Sequence, residues 1–85
     1  MSRALQVFQK DYDADCESLP ASVRRRITSA IDDMGQDLPR FPHYRLTGSA
    51  GFRLRIGDYR VIYDFDAKKN EIHLHAVGHR RDIYR

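Results

Sequence analysis

The chain has 85 residues with 15 Lys/Arg against 12 Asp/Glu, a formal net charge of +3, one cysteine and no tryptophan. That length suits one domain, residues 1–85, whose core sits near the lower limit for stability without disulfides, metals or a partner. A lone Cys16 excludes an intramolecular disulfide, no apolar run is long enough to span a bilayer, and Met1 to Lys10 lack the apolar stretch of a secretory signal, so a cytoplasmic protein away from membranes is expected.

Leu5 to Phe8 predicts a first strand, with either Leu5/Val7 or Ala4/Phe8 facing inward. From Asp11 the apolar positions Tyr12, Cys16 and Leu19 recur at helical spacing until Pro20, after which Val23, Ile27, Ala30, Ile31 and Met34 form the stripe of a second helix. Gly35 is placed to close that helix at its C′ position. Leu38 to Pro42 holds two of the three prolines and predicts an irregular connection. His43 to Leu46 then predicts a second strand, and Thr47 to Gly51 a joint.

The next segment is the most informative. Phe52-Arg53-Leu54-Arg55-Ile56 and Tyr59-Arg60-Val61-Ile62-Tyr63 alternate on either side of Gly57-Asp58, which reads as a two-residue hairpin turn. Ile56 then pairs with Tyr59, Arg55 with Arg60, Leu54 with Val61, Arg53 with Ile62 and Phe52 with Tyr63. One face is apolar and the other carries three guanidiniums. Like charges directly opposite in a sheet repel, on a scale of about 0.2–1 kcal/mol, so Arg55 and Arg60 require a solvated splay or an anion between them. A loop at residues 67–70 leads to a last strand, Ile72 to Val77, predicted to set Phe65 against Ile72, Tyr63 against Leu74 and Val61 against Ala76. In that register His73 faces Asp64 and His75 faces Ile62, so imidazoles extend the arginine face.

Charge follows the same division. Residues 1–42 hold six basic and seven acidic side chains, whereas residues 43–85 hold nine and five, together with all four histidines. Twelve of the fifteen cations are arginine, which suits bidentate recognition of phosphate. The fold class implied is α+β, in the order β-α-α-β-β-β with the short His43 to Leu46 segment as a further strand before the hairpin: a mostly antiparallel sheet with two helices packed on one face and an open cationic face.

Plainer readings accompany several features. The hairpin arginines are equally an ordinary solvated face neutralised by Asp58, Asp64 and Asp66, and Arg24-Arg25-Arg26 a solvated helix face rather than a contact for RNA or an acidic partner. Cys16 reads as a small core residue. His73, His75 and His79 lack a well-spaced fourth ligand, and Asp11 to Asp15 lack the Gly and Glu of a calcium loop, so no metal or other cofactor is expected.

Leu19-Pro20 with Val23, Ile27 and Ile31, Leu46-Thr47-Gly48, the hairpin from Phe52 to Tyr63, and Val77-Gly78-His79-Arg80-Arg81-Asp82-Ile83-Tyr84 together resemble the RelE/ParE superfamily of type II toxins, specifically its RelE-like branch. The resemblance implies a RelE-like fold and a toxin that enters the 70S ribosomal A site, cuts mRNA there without a metal, and is silenced by a cognate RelB-like antitoxin. It carries catalytic roles onto Arg53, Arg55, Arg60, Arg80 and Tyr84, and an RNA contact onto Arg45; His75 and His79 join the RNA-binding set. The best-studied relatives have lysines where this chain has Arg53 and Arg55. Arginine stays protonated and is a poor general base, which leaves His75, His79, Tyr84 or the ribosome for that duty. The other readings are a ParE-like toxin that inhibits DNA gyrase and an inactive RNA-binding relative.

Overall fold

The computed structural model of the chain describes residues 2–48 and 50–83. In chain order it contains β1 (Leu5–Phe8), α1 (Lys10–Glu17), α2 (Ala21–Gln36), a 3-10 turn at Leu38–Arg40, β2 (Tyr44–Arg45), β3 (Phe52–Ile56), β4 (Tyr59–Asp66) and β5 (Glu71–His79). The sheet order is β1-β5-β4-β3-β2, with β1 parallel to β5 and every other pair antiparallel. No helix among the described residues is long and apolar enough to cross a membrane.

Both helices cover one face of this sheet. The break between them follows from Pro20: the amides of Ser18 and Leu19 close α1 on the carbonyls of Asp15 and Cys16, and Pro20 then leads into α2, where its missing N–H costs nothing. Ile27, Ile31 and Met34 recur one turn apart on α2 and are fully buried with Val61, Tyr63, Ile72 and Leu74 of the sheet. Burying each large side chain contributes about 1.5–3 kcal/mol, so this contact surface is the main support of the fold. Gln6 Nε2 donates to Asp32 Oδ1 at 2.7 Å and ties the edge strand β1 to α2, with Leu5 left exposed on the opposite side.

Two local expectations change. Gly35 does not terminate its helix, which runs on to Gln36. Gly35 is instead buried where β1 comes closest: its carbonyl accepts the amide of Ala4 at 2.9 Å, and an added Cβ would stand 3.6 Å from the side chains of Ala4 and Ile72. The β4–β5 register also departs from simple alternation. Phe65–Ile72, Asp64–His73 and Tyr63–Leu74 pair as expected, but next come Ile62–Ala76 and Val61–Val77, so His75 is the extra residue of a β-bulge. The shift turns Val77, rather than the smaller Ala76, into the core, where it is 2% exposed.

Candidate functional site

The β3–β4 hairpin forms with the expected pairs, from Ile56–Tyr59 to Phe52–Tyr63, and Arg55 lies opposite Arg60. Gly57 has φ +58°, as the first position of a type II′ turn requires, and the Arg26 guanidinium packs close enough that an added Cβ at Gly57 would lie 2.9 Å from its Nη2. The Arg55–Arg60 conflict is resolved by splaying. Arg60 Nη1 turns back over the hairpin and donates to the carbonyls of Gly57 at 2.7 Å and Tyr59 at 2.8 Å. Peptide dipoles thereby hold one guanidinium in place while Arg55 stays exposed.

None of the three carboxylates that stood ready to neutralise this face does so. Asp58 Oδ1 lies 3.7 Å from Arg80 Nε, Asp64 bonds His75, and Asp66 accepts the amides of Lys68 and Lys69. Among the described residues, Arg53 and Arg55 have no ion-pair partner. Arg80 is docked to the same turn through its backbone, its amide donating to Asp58 O at 2.8 Å. The chain then folds back, the amides of Asp82 and Ile83 bonding His79 O, and Ile83 comes over Gly78, the residue paired with Arg60.

The remaining sequence-derived positions separate. His75 is on the arginine face, with its Nε2 2.8 Å from Asp64 Oδ2; donation to that carboxylate leaves Nδ1 free to accept a proton. His73 is beside Glu71, at 3.2 Å. His79 pairs with Tyr59, whose side of the sheet is the helix-covered one, and stacks edge-on against that ring at 5.5 Å. Its Nδ1 accepts the Arg81 amide at 3.2 Å. Arg45 is likewise on the helix side: it pairs with Phe52 and its guanidinium lies 5.5 Å from that ring. Tyr84 lies outside the described residues.

Two features of this face differ from the sequence reading. One is Asp64: it is expected to neutralise the arginines and to face His73, but its carboxylate is taken by His75, the bulge residue. The other is Tyr44, which pairs with Arg53 and is 59% exposed on the arginine side. Alternation requires that only one of Tyr44 and Arg45 face the arginines, and the pairing with β3 selects Tyr44. Beneath β2, His43 anchors the strand: its Nε2 donates to Leu38 O at 2.7 Å and its Nδ1 accepts the Tyr63 hydroxyl at 2.6 Å. Its ring stacks on Phe65 with centroids 4.0 Å apart. Burial pushes the Tyr63 hydroxyl up to about 12, so it remains a donor at neutral pH. Among the described residues, no group of three His, Cys, Asp or Glu side chains is arranged to hold a metal ion.

Residues 4–84 match the family model for the ParE toxin of the type II toxin–antitoxin system parDE. The chain belongs to this family. The toxin's fold is also that of RelE. It superposes on the RelBE2 toxin–antitoxin complex of Mycobacterium tuberculosis with a TM-score of 0.78 at 24% identity, covering 96% of this chain and 97% of the other. The archaeal RelE–RelB complex of Pyrococcus horikoshii OT3 gives 0.73 at 26% identity over 95% and 99% of the two chains. The isolated E. coli RelE toxin gives 0.74 at 19% identity over 95% and 90%. No curated protein matches the toxin's sequence. It is thus a type II toxin of the RelE/ParE superfamily.

Proposed function

We propose that this toxin is a cytoplasmic endoribonuclease that inhibits translation by cutting mRNA in the ribosomal A site. The observation that carries the reading is the pair Arg53 and Arg55, exposed on an open sheet face beside Arg60 with no carboxylate to neutralise them among the described residues. Two uncompensated guanidiniums side by side are unfavourable alone and favourable around phosphate.

In this reading the RNA 2′-oxygen attacks the adjacent phosphorus, the bond from phosphorus to the 5′-oxygen breaks, and the products are a 2′,3′-cyclic phosphate and a 5′-hydroxyl. One proton leaves the 2′-hydroxyl and one arrives at the 5′-oxygen. Arg53, Arg55 and Arg60 stabilise the dianionic transition state, Arg60 with its guanidinium already oriented by two carbonyls. Arg80, held at the turn, adds a further guanidinium, and Tyr84 has the role that the resemblance gives it. His75 accepts the 2′ proton at Nδ1, its ring fixed by Asp64. His79 and Arg45 are on the other side of the sheet and serve, at most, contacts away from the scissile phosphate.

The solved complexes from Mycobacterium tuberculosis and Pyrococcus horikoshii pair RelE with RelB. By extension, a RelB-like antitoxin with an acidic segment covers the arginine face of this toxin, and co-purification with the product of an adjacent gene tests it. Primer extension on a defined mRNA paused on 70S ribosomes tests the activity. Cleavage within the A-site codon that requires the ribosome and is lost in Arg60→Ala is expected; a fully active Arg60→Ala toxin overturns the residue assignment. A second reading, inhibition of DNA gyrase, is favoured by the ParE description of the matching family. Loss of supercoiling in a gyrase assay, with ribosome-bound mRNA left intact, would select it.

A further inference from the structure

Beside the arginine face, the sheet edge carries a groove that shares Arg53 and Arg55 with the proposed chemistry and whose other walls that chemistry does not use. Pro42 has no N–H to extend a ladder, and His43 is pulled under the sheet by its bonds to Leu38 and Tyr63, so β2 consists of Tyr44 and Arg45 alone. Its pairing with β3 reaches Arg53 and Phe52 and stops, so beyond Arg53 the outer edge of β3 has no strand beside it among the described residues. The resulting groove has a volume of about 420 Å³ and is lined by Phe41, Pro42, Tyr44, Arg53, Leu54 and Arg55. That volume is within the range of small-ligand pockets, about 300–1,000 Å³.

Its chemistry is divided in a particular way. Phe41, Pro42 and Leu54 give an apolar lining, Tyr44 offers an exposed aromatic ring, and Arg53 and Arg55 supply the two unneutralised charges. A flat, partly polar ligand linked to phosphates matches all three at once. Unpaired RNA bases are held this way, stacked on an aromatic ring with phosphates on arginine. An acidic peptide would satisfy the guanidiniums but offers no planar group for the ring.

We propose that this groove is a nucleobase subsite, in which Tyr44 stacks on one base of the RNA while Arg53 and Arg55 hold the phosphates flanking it. The subsite rests on the RNA-cleavage reading above and adds a determinant of which nucleotide is accepted next to the cut. His43 acts as a positioning residue, because its two hydrogen bonds fix the strand from which Tyr44 projects.

Two measurements on the full chain separate this subsite from the cleavage reading. First, on ribosome-paused mRNA, Tyr44→Ala is expected to raise the half-saturating toxin concentration about five- to a hundredfold, whereas Tyr44→Phe stays within about twofold of wild type. Wild-type cleavage with Tyr44→Ala unchanged in saturation and nucleotide preference overturns the subsite and leaves the cleavage reading standing. Second, the chain has no tryptophan, so Tyr44→Trp places a single tryptophan in the groove, excited selectively over the remaining tyrosines. A 2′-O-methyl hexanucleotide, which lacks the attacking hydroxyl, is expected to quench that emission, and much less when Arg53 is also replaced by Gln. Quenching without cleavage by any form of the toxin keeps the subsite and removes the enzyme. Emission that responds to a polyglutamate peptide and not to the hexanucleotide overturns the subsite in favour of acidic-segment docking.

Discussion

The open face of the sheet has two ends that differ in how their charges are settled. At the hairpin end, Arg53 and Arg55 remain without carboxylates among the described residues, and Arg60 is held by peptide carbonyls that lower repulsion without cancelling charge. At the β5 end each imidazole has an acid beside it, His75 with Asp64 and His73 with Glu71. Both ends look cationic when read as sequence, since arginines and histidines alternate along adjacent strands. Only the first has charge left over for a ligand. The second is internally satisfied, so it contributes little to holding an anion, but an imidazole oriented by a carboxylate is well suited to moving a proton. Surplus positive charge and carboxylate-paired imidazoles thus lie on different strands of one face.

The strongest way to break this comparison is to remove the surplus charge. Replacing Arg53 and Arg55 together by Gln is expected to lower cleavage about a thousandfold or more, with RNA binding less salt-dependent by about 1.4 in the slope of log K against log salt. Because these side chains support nothing in the core, the melting free energy should stay within about 0.5 kcal/mol of wild type; strong destabilisation in urea would show that the charges are structural.

Next in size is the histidine end. His75→Ala is expected to lower the single-turnover rate about a hundredfold at saturating toxin, and Asp64→Asn, which keeps a hydrogen-bond partner, by about tenfold. Equal, small effects on both, or a loss confined to binding, would mean that the histidine end also serves as an anion site. His73→Gln sharpens the contrast from the other side: with its imidazole already beside Glu71, rate and binding should change by no more than about twofold, within the range of exposed ion pairs.

The last test reads stability alone and concerns the anchor beneath β2. Tyr63→Phe removes the donor to His43 Nδ1 and should cost about 1–2 kcal/mol at neutral pH. Burial raises the ionisation of Tyr63 to about 12 and pushes that of Tyr12 further still, against about 10 for an unfolded tyrosine. Both groups are neutral in either state below pH 10, so their contribution is complete there. As pH rises from 10 towards 12 the unfolded chain loses these protons first, and stability falls. Urea melts at pH 8, 10 and 11 should show that decline in wild type and a shallower one in Tyr63→Phe.

Much of this was legible in the chain because hairpins are local. Gly57-Asp58 and the strict alternation on either side set the pairing of Arg55 with Arg60, and the stripe of Ile27, Ile31 and Met34 announced which side of α2 is buried. Where the expectation differed, the cause was contact between distant segments. Gly35 is the residue type of a helix stop, but α2 runs through it to Gln36 and Ala4 packs over it. Leu74 followed by Val77 breaks a two-residue period, a trace of the bulge that reads as noise until the core demands Val77 over Ala76. Tyr44 and Arg45 are adjacent, and which of them joins the arginines depends on the pairing of Tyr44 with Arg53, nine residues away.

The sequence by itself determined the class of fold, the hairpin register and the concentration of arginine on one face, because periodicity and turn chemistry act over a few residues. Tertiary structure alone decided which charges are neutralised, that Arg60 bends back onto its own turn, that His79 and Arg45 leave the face, and that Tyr44 enters it. Those outcomes depend on competition among carboxylates, carbonyls and core volume supplied by other strands, and that competition begins only once the sheet has closed.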